Sequence, residues 1–194
     1  NYTPLSALLN ISLTQSGGIT SGVGVKSSGV QFDFYANGTG TYGPFTGSHE
    51  ALILKEEETE TGQLIEDAEL VAVSGISNTI TRVRIASAGS RAVVGAVAGR
   101  YELTDEESAP AALRGQDIGA LAELYDVVIF NAIGEGQLLA VGDLQAGDLL
   151  CVGVNGIAVK QSDDIIRSST AAKCRQSLKA SDGIKLVAVI YLAG

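Results

Sequence analysis

The residues with the clearest chemical potential are Ser48, His49 and Glu50, which are consecutive and include the only histidine of the chain. A hydroxyl, an imidazole and a carboxylate form a hydrolytic triad when the base lies within hydrogen-bond reach of the nucleophile. Successive side chains on a strand point to opposite faces, so Ser48 and His49 would diverge there. A hydrogen-bonding role for His49, at a turn or between subunits, is therefore favoured over catalysis.

Three other carboxylates, Asp143, Asp148 and Glu135, lie in sequence patterns that could indicate either an acid–base site or a turn. Asp143 and Asp148 lie in a repeated Gly-Asp-Leu pattern, and two carboxylates can act together in acid–base chemistry. A simpler interpretation is that each aspartate bonds its own backbone at a turn before a strand. Glu135 lies between Gly134 and Gly136, which favours an exposed carboxylate on a tight turn.

Metal and cofactor sites are not expected. A zinc site takes about four ligands, whereas the chain has one histidine and two cysteines, Cys151 and Cys174, that are not in C-x-x-C spacing. Cys151 lies in an apolar run and is expected to pack as a small hydrophobe, with a disulfide to Cys174 as the alternative. The glycine-rich residues 22–29 match neither of the two glycine spacings that bind nucleotides, G-x-G-x-x-G and G-x-x-x-x-G-K-[ST].

The charge balance disfavours nucleic acid as a partner. Lys and Arg number 13 against 22 acids, a net charge of −9, and a groove that neutralises phosphates needs clustered bases. Residues 50–69 hold eight acids and one base, while residues 160–185 hold six bases and three acids. These two segments of opposite charge either pair with each other, within a subunit or between copies, or they form two unrelated solvent-exposed faces.

The composition predicts a turn-rich β protein. The chain has 194 residues with 24 glycines, three prolines and 45% hydrophobic residues, enough apolar material for a core. No apolar run reaches the ~18 residues of a membrane span, so no membrane insertion is expected. The chain starts at Asn1 without a signal pattern, as expected for a piece of a longer protein.

Local patterns place the elements. The alternation over residues 30–35 predicts a strand with Val30, Phe32 and Phe34 on one face. Asn37-Gly38 and Asn155-Gly156 each predict a two-residue hairpin turn. The second turn would set Val152 opposite Val159 and Val154 opposite Ile157.

Residues 105–125 are the best helix candidate. Asp105 is the expected cap and Pro110 suits the first turn, although Gly115 and Gly119 weaken the pattern.

We therefore predict a mainly β fold, an antiparallel β-sandwich or barrel-like domain with one short helical insertion, assembling as a homotrimer. Residues 1–29 would form an N-terminal connecting and trimer-packing segment, and residues 30–194 a C-terminal β domain. Short apolar stripes near the N-terminus cannot cover themselves, and three copies could bury them mutually. The expected trimer-packing residues are Leu5, Leu9, Val30, Phe32 and Phe34.

Five segments, taken in order, resemble the C-terminal domains of bacteriophage tail fibres and tailspikes. The likeness spans roughly residues 30–175, with gaps through residues 55–125. The segments are residues 34–38, 42–52, 131–137, 144–149 and 160–168, the last leading into 170–173.

The resemblance implies a homotrimeric virion appendage on the phage tail, joined to upstream fibre or spike domains of the same chain. It would drive trimer formation and fibre maturation without a cofactor. One alternative is a receptor-binding tip that contacts host surface polysaccharide through Tyr35, Tyr42 and Phe45. The other is a self-cleaving intramolecular chaperone using Ser48, His49 and Glu50, the one enzymatic role left open.

Overall fold

The computed structural model describes residues 21–27, 30–36, 46–56, 64–77, 80–106, 109–113 and 115–192, with the backbone alone before residue 48. Two compact units divide the chain, Asn1–Gly43 and Pro44–Gly194. The described strands are β1 (Ser21–Ser27), β2 (Val30–Ala36), β3 (Thr46–Leu54), β4 (Leu70–Ser77), β5 (Ile80–Ile85), β6 (Val93–Glu102), β7 (Tyr125–Ala140), β8 (Leu149–Val152), β9 (Ala158–Lys160), β10 (Thr170–Cys174) and β11 (Lys185–Tyr191).

The first unit contains an antiparallel pair, in which Ser27 of β1 lies opposite Val30 of β2. The strand predicted over residues 30–35 is confirmed. The domain boundary predicted between residues 29 and 30 falls between these two paired strands. Leu5, Leu9, the Asn37-Gly38 turn, Tyr42 and Phe45 lie outside the described residues. Val30, Phe32, Phe34 and Tyr35 lie on β2, and their contact roles stay predictions.

The second unit is built around the 16-residue strand β7, which belongs to two closed rings of paired strands. Its first part pairs with β3 on one side and β6 on the other, and β5 and β4 complete the first ring. Its last part pairs with β11 and β9, and β10 and β8 complete the second ring. The prediction of a mainly β, barrel-like domain is confirmed.

The burial pattern explains why β7 can serve both rings. Val128 and Phe130 point into the core of the first ring, whereas Leu138 and Ala140 point into the core of the second. Val127 is also fully buried, on the opposite face of β7. A strand that is apolar on both faces needs a layer outside the ring, and the helical insertion supplies that layer.

The insertion is shorter and more broken than the predicted helix over residues 105–125. Its described residues form a 3-10 turn at Ala111–Leu113 and one short helix, α1 (Ile118–Leu124). Gly115, at φ +80°, separates the two because a left-handed residue ends helical hydrogen bonding. The cap is Asp117, whose Oδ1 accepts from the Ala120 N–H at 3.1 Å, so the prediction of Asp105 as cap is wrong.

The β8–β9 hairpin shows the predicted turn with a different register. Asn155 (φ 54°) and Gly156 (φ 69°) both have the positive φ that the Asn-Gly turn requires. The register pairs Val152 with Ala158 and Cys151 with Val159, so the predicted Val152–Val159 pair is wrong by one residue. The N–H of Gly153 bonds the carbonyl of Ile157, which lengthens the loop by one residue. This shift leaves Val152 and Ala158 both facing the core.

Candidate functional site in the groove between the two rings

The structure separates the three residues that the sequence placed side by side. The Ser48 Oγ donates a hydrogen bond to Asn131 Oδ1 at 2.7 Å. The His49 imidazole stacks on the ring of Phe130, with the ring centroids 5.5 Å apart. Both side chains are on β3 and exposed, and both partners lie on β7. The serine therefore meets an amide, which cannot act as its general base.

Glu50 contacts a third strand. The Tyr101 hydroxyl on β6 donates to Glu50 Oε1 at 2.9 Å. Partial burial, followed by the carboxylate acceptor and its charge, raises the pKa of the Tyr101 phenol above its usual value. Ser48, His49 and Glu50 thus have three different partners, and a catalytic role for them stays a prediction.

A separate hydrogen bond joins β7 to β11 in the second ring. The Tyr191 hydroxyl donates to the Gln137 carbonyl at 2.5 Å. Tyr191 is buried, and burial raises the pKa of its phenol. Two separate hydrogen bonds, Ser48 to Asn131 and Tyr191 to Gln137, therefore join β3 and β11 to β7 near the point where β7 passes from one ring to the other.

The glycines around Glu135 serve this crossing rather than a turn. Residues 134–136 lie within β7, so the tight turn expected there is wrong. Gly134 has φ +96°, which lets β7 change direction without ending. A side chain at Gly136 would overlap the ring of Tyr191, its Cβ lying 2.9 Å from the hydroxyl oxygen.

A groove of about 730 Å³ lies along this crossing. Its polar lining includes Ser48, Asn131, Glu135, Gln137 and Asp67. Ala68, Val97, Leu139 and Leu186 supply apolar walls. This lining offers hydrogen bonds, negative charge and apolar surface. Within the described residues, no group of three or more His, Cys, Asp or Glu side chains is arranged to hold a metal ion.

Next to the groove, an apolar surface covers the outside of the second ring. Leu139 and Gln137 of β7 lie opposite Leu186 and Ala188 of β11, and Glu135 lies opposite Ile190. Cross-strand partners share a face of the sheet, and Leu186 and Ile190 are 47% and 38% exposed. We call this surface the β11 face. Sequence reasoning missed it, although β11 is apolar at nearly every position and so predicts two apolar faces.

A buried carboxylate lies close to the groove. Glu69 is buried and accepts the Glu66 N–H at 3.0 Å through Oε2. Burial raises the pKa of the Glu69 carboxyl, the hydrogen bond from Glu66 opposes this effect, and the charge of Glu66 adds to it. The folded state therefore holds a proton at this site more readily than the unfolded chain does.

We expect Glu69→Gln to stabilise the protein at pH 7 and to have no effect at pH 3. A raised carboxyl pKa means that wild-type stability falls as pH rises from the unfolded pKa through the folded one. The glutamine stays neutral and its carbonyl can still accept from Glu66. Urea unfolding of both proteins at the two pH values measures the difference. An equal difference at pH 3 and pH 7 would contradict this explanation.

The segment after β9 is a loop that side-chain hydrogen bonds hold in place. The Gln161 Nε2 donates to the carbonyls of Asp163 and Ile165 at 3.0 and 2.7 Å, and Gln161 Oε1 accepts from Thr170 Oγ1 at 2.7 Å. Asp163 also pairs with Arg167 at 2.7 Å. One buried amide therefore fixes both ends of the loop.

Gln161→Ala should lower the free energy of unfolding by about 2 kcal/mol, because it leaves Thr170 and two loop carbonyls without their partner. Amide hydrogen exchange should rise across residues 161–170. Gln145→Ala is the matched control, since Gln145 is exposed and its hydrogen bond to Asp148 uses the backbone N–H. Equal destabilisation by both variants would refute this role.

The two aspartates of the Gly-Asp-Leu repeat behave differently. Asp148 Oδ2 accepts the Gln145 N–H at 2.8 Å, as predicted for a local turn. Asp143 Oδ1 instead accepts the Ala180 N–H at 2.9 Å, so the local turn predicted for it is wrong. Cys151 is half-buried and its thiol is free; burial raises its pKa, as expected of a packed hydrophobe.

Comparison with known proteins gives distant structural likenesses. No family model matches the sequence, and no curated protein matches it. The N base of the head fibre gp8.5 of bacteriophage phi29 is similar at a TM-score of 0.41 and 16% identity, over 76% of this chain and 94% of that one. The pre-mature gene product 12 of bacteriophage phi29 is similar at a TM-score of 0.43 and 14% identity, over 95% of this chain and 24% of that one.

No helix among the described residues is long and apolar enough to cross a membrane.

Proposed function

We propose that this chain is a structural protein of a phage virion, a fibre module that assembles as a homotrimer and sets the register of the fibre chains. The observation that carries the proposal is the β11 face, an exposed apolar surface on a unit whose described strands all have paired neighbours on both sides. A closed sheet cannot extend by edge pairing. Association through this unit must therefore use side chains, and the β11 face offers them.

The sequence resemblance supports the same role. Three of its five segments lie in the second ring or at its junction, at residues 131–137, 144–149 and 160–168. The position on the tail and the upstream fibre or spike domains as partners follow from the resemblance and form part of the proposal.

Sedimentation of the purified chain over a dilution series tests the proposal. The protomer has a mass of 19.9 kDa, so we expect a species of about 60 kDa that persists to nanomolar concentration, because association removes the apolar β11 face of each copy from water. A folded, stable 20 kDa monomer at micromolar concentration would overturn the proposal.

Fusion to an upstream fibre segment tests the register function directly. We expect the segment to form a trimer only when this chain is attached. A segment that forms trimers equally well without it would contradict a register-setting role.

A further inference from the structure

We infer that copies of this chain meet through the β11 face, with its apolar centre at a three-fold axis and the acidic margin of each copy against the basic margin of the next. The inference rests on the proposed function, which supplies the number of copies. Its occupant is a second copy of the same chain.

The two margins lie on opposite sides of the apolar centre. Leu139 N–H donates to the carbonyl of Ala68 at 2.9 Å, which places residues 66–68 beside β7 on the side away from β11. Asp67 is exposed and lines the same groove as Leu186. Glu66 is also exposed. We call Glu66 and Asp67 the acidic margin.

The opposite side carries positive charge. Lys173 of β10 is exposed and lies opposite Ile190 of β11. The Arg175 N–H bonds the carbonyl of Ala188, and its guanidinium pairs with Glu135 of the same copy at 2.6 Å, so Lys173 supplies the net positive charge on this side. We call Lys173 and Arg175 the basic margin. Across the sheet the order is therefore acidic, mainly apolar, then basic, with the Glu135–Arg175 pair beside Ile190 at one end of the apolar centre.

This order suits a cyclic assembly. Around a three-fold axis each copy meets its two neighbours through two different surfaces, because the contact is heterologous. When the β11 face points toward the axis, those surfaces are its two margins, and opposite charge makes them complementary. The acidic segment 50–69 and the basic segment 160–185 thereby acquire a role, since each contributes one margin.

Leu186→Glu tests the apolar centre. A carboxylate there would be desolvated three times at the axis, so we expect the 60 kDa species to become a folded 20 kDa monomer, with the dissociation concentration raised roughly a hundredfold or more. The matched control is Ile76→Glu on β4, which is 70% exposed and lies in the first ring. The control should remain a trimer.

Charge reversal tests the margins. Lys173→Glu alone and Asp67→Lys alone should each raise the dissociation concentration roughly tenfold at low salt. The double variant should recover wild-type association, because the reversed margins are again complementary. Circular dichroism of every variant verifies folding. Both charge reversals are at exposed positions, so they still test the contact between copies if Leu186→Glu fails to fold.

The outcomes separate the two proposals. A wild-type monomer overturns the proposed function. A wild-type trimer that survives Leu186→Glu overturns the use of the β11 face and leaves the proposed function standing. If Lys173→Glu and Asp67→Lys each dissociate the trimer and the double variant does not associate again, the acidic margin of one copy does not face the basic margin of the next, and that arrangement is overturned. A wild-type dimer with the same rescue overturns the three-fold axis.

Discussion

Replacing Gly95 with alanine should destabilise the protein more than any other single-methyl change, by about 3 kcal/mol or more. Gly95 lies on β6 where that strand crosses close to β7. A Cβ at this position would overlap the carbonyl of Asn131 and lie 2.8 Å from Cδ2 of Phe130. Backbone cannot move aside as a side chain can, so β6 and β7 would have to separate and open the first ring.

Gly99, four residues further along the same strand, is the matched control. A Cβ there meets nothing within 4 Å, and its φ is not in the left-handed region. Gly99→Ala should change the free energy of unfolding by less than about 0.5 kcal/mol. Urea unfolding of the two variants gives the comparison. Equal effects would mean that β6 does not approach β7 as closely as the structure has it.

Asp126→Asn should lower the free energy of unfolding by about 2 to 3 kcal/mol. The Asp126 side chain is buried, with Lys55 Nζ at 3.2 Å from Oδ1 and Arg100 Nη2 at 2.5 Å from Oδ2. Removing the charge of Asp126 takes away the buried carboxylate that both cations share, and losing one member of a buried ion pair is strongly destabilising. Partial exposure of Lys55 and Arg100 moderates the penalty, because water can reach them.

The loss at Asp126 should extend to the helical insertion. Lys55 Nζ also donates to the carbonyl of Ala122 in α1 at 2.7 Å, so displacement of Lys55 would loosen that contact. Hydrogen exchange in residues 118–124 should rise in the variant.

Arg167→Gln is the control for Asp126→Asn, since the Arg167–Asp163 pair is 51% and 36% exposed and lies away from the β11 face. We expect that control to lower the free energy of unfolding by less than about 1 kcal/mol. A larger loss at Arg167 than at Asp126 would contradict the argument from burial.

The sequence predicted features that depend on neighbouring residues. The strand over residues 30–35, the positive φ of Asn155-Gly156, the turn at Asp148 and the presence of a short helical insertion are all confirmed. In each case the deciding physics lies within a few residues: the period of two in a strand, the steric freedom of glycine, or a side chain bonding its own backbone.

Predictions failed where a distant part of the chain decides the geometry. The β8–β9 register shifted by one residue because Val152 and Ala158 both had to face the core. The expected turn at Glu135 became the middle of β7, since partners from both rings bond it on either side. Asp143 found its partner 37 residues further along the chain.

The candidate site divides in the same way. The sequence alone determined that Ser48 and His49 diverge on a strand and that oppositely charged segments exist. Only the tertiary structure decided that Ser48 meets Asn131, that Tyr191 bonds Gln137, and that the charged segments border one apolar face. The physical reason is that closing a ring of strands joins residues far apart in sequence, here 83 positions for Ser48 and Asn131 and 54 for Gln137 and Tyr191, and no local pattern encodes which of them will meet.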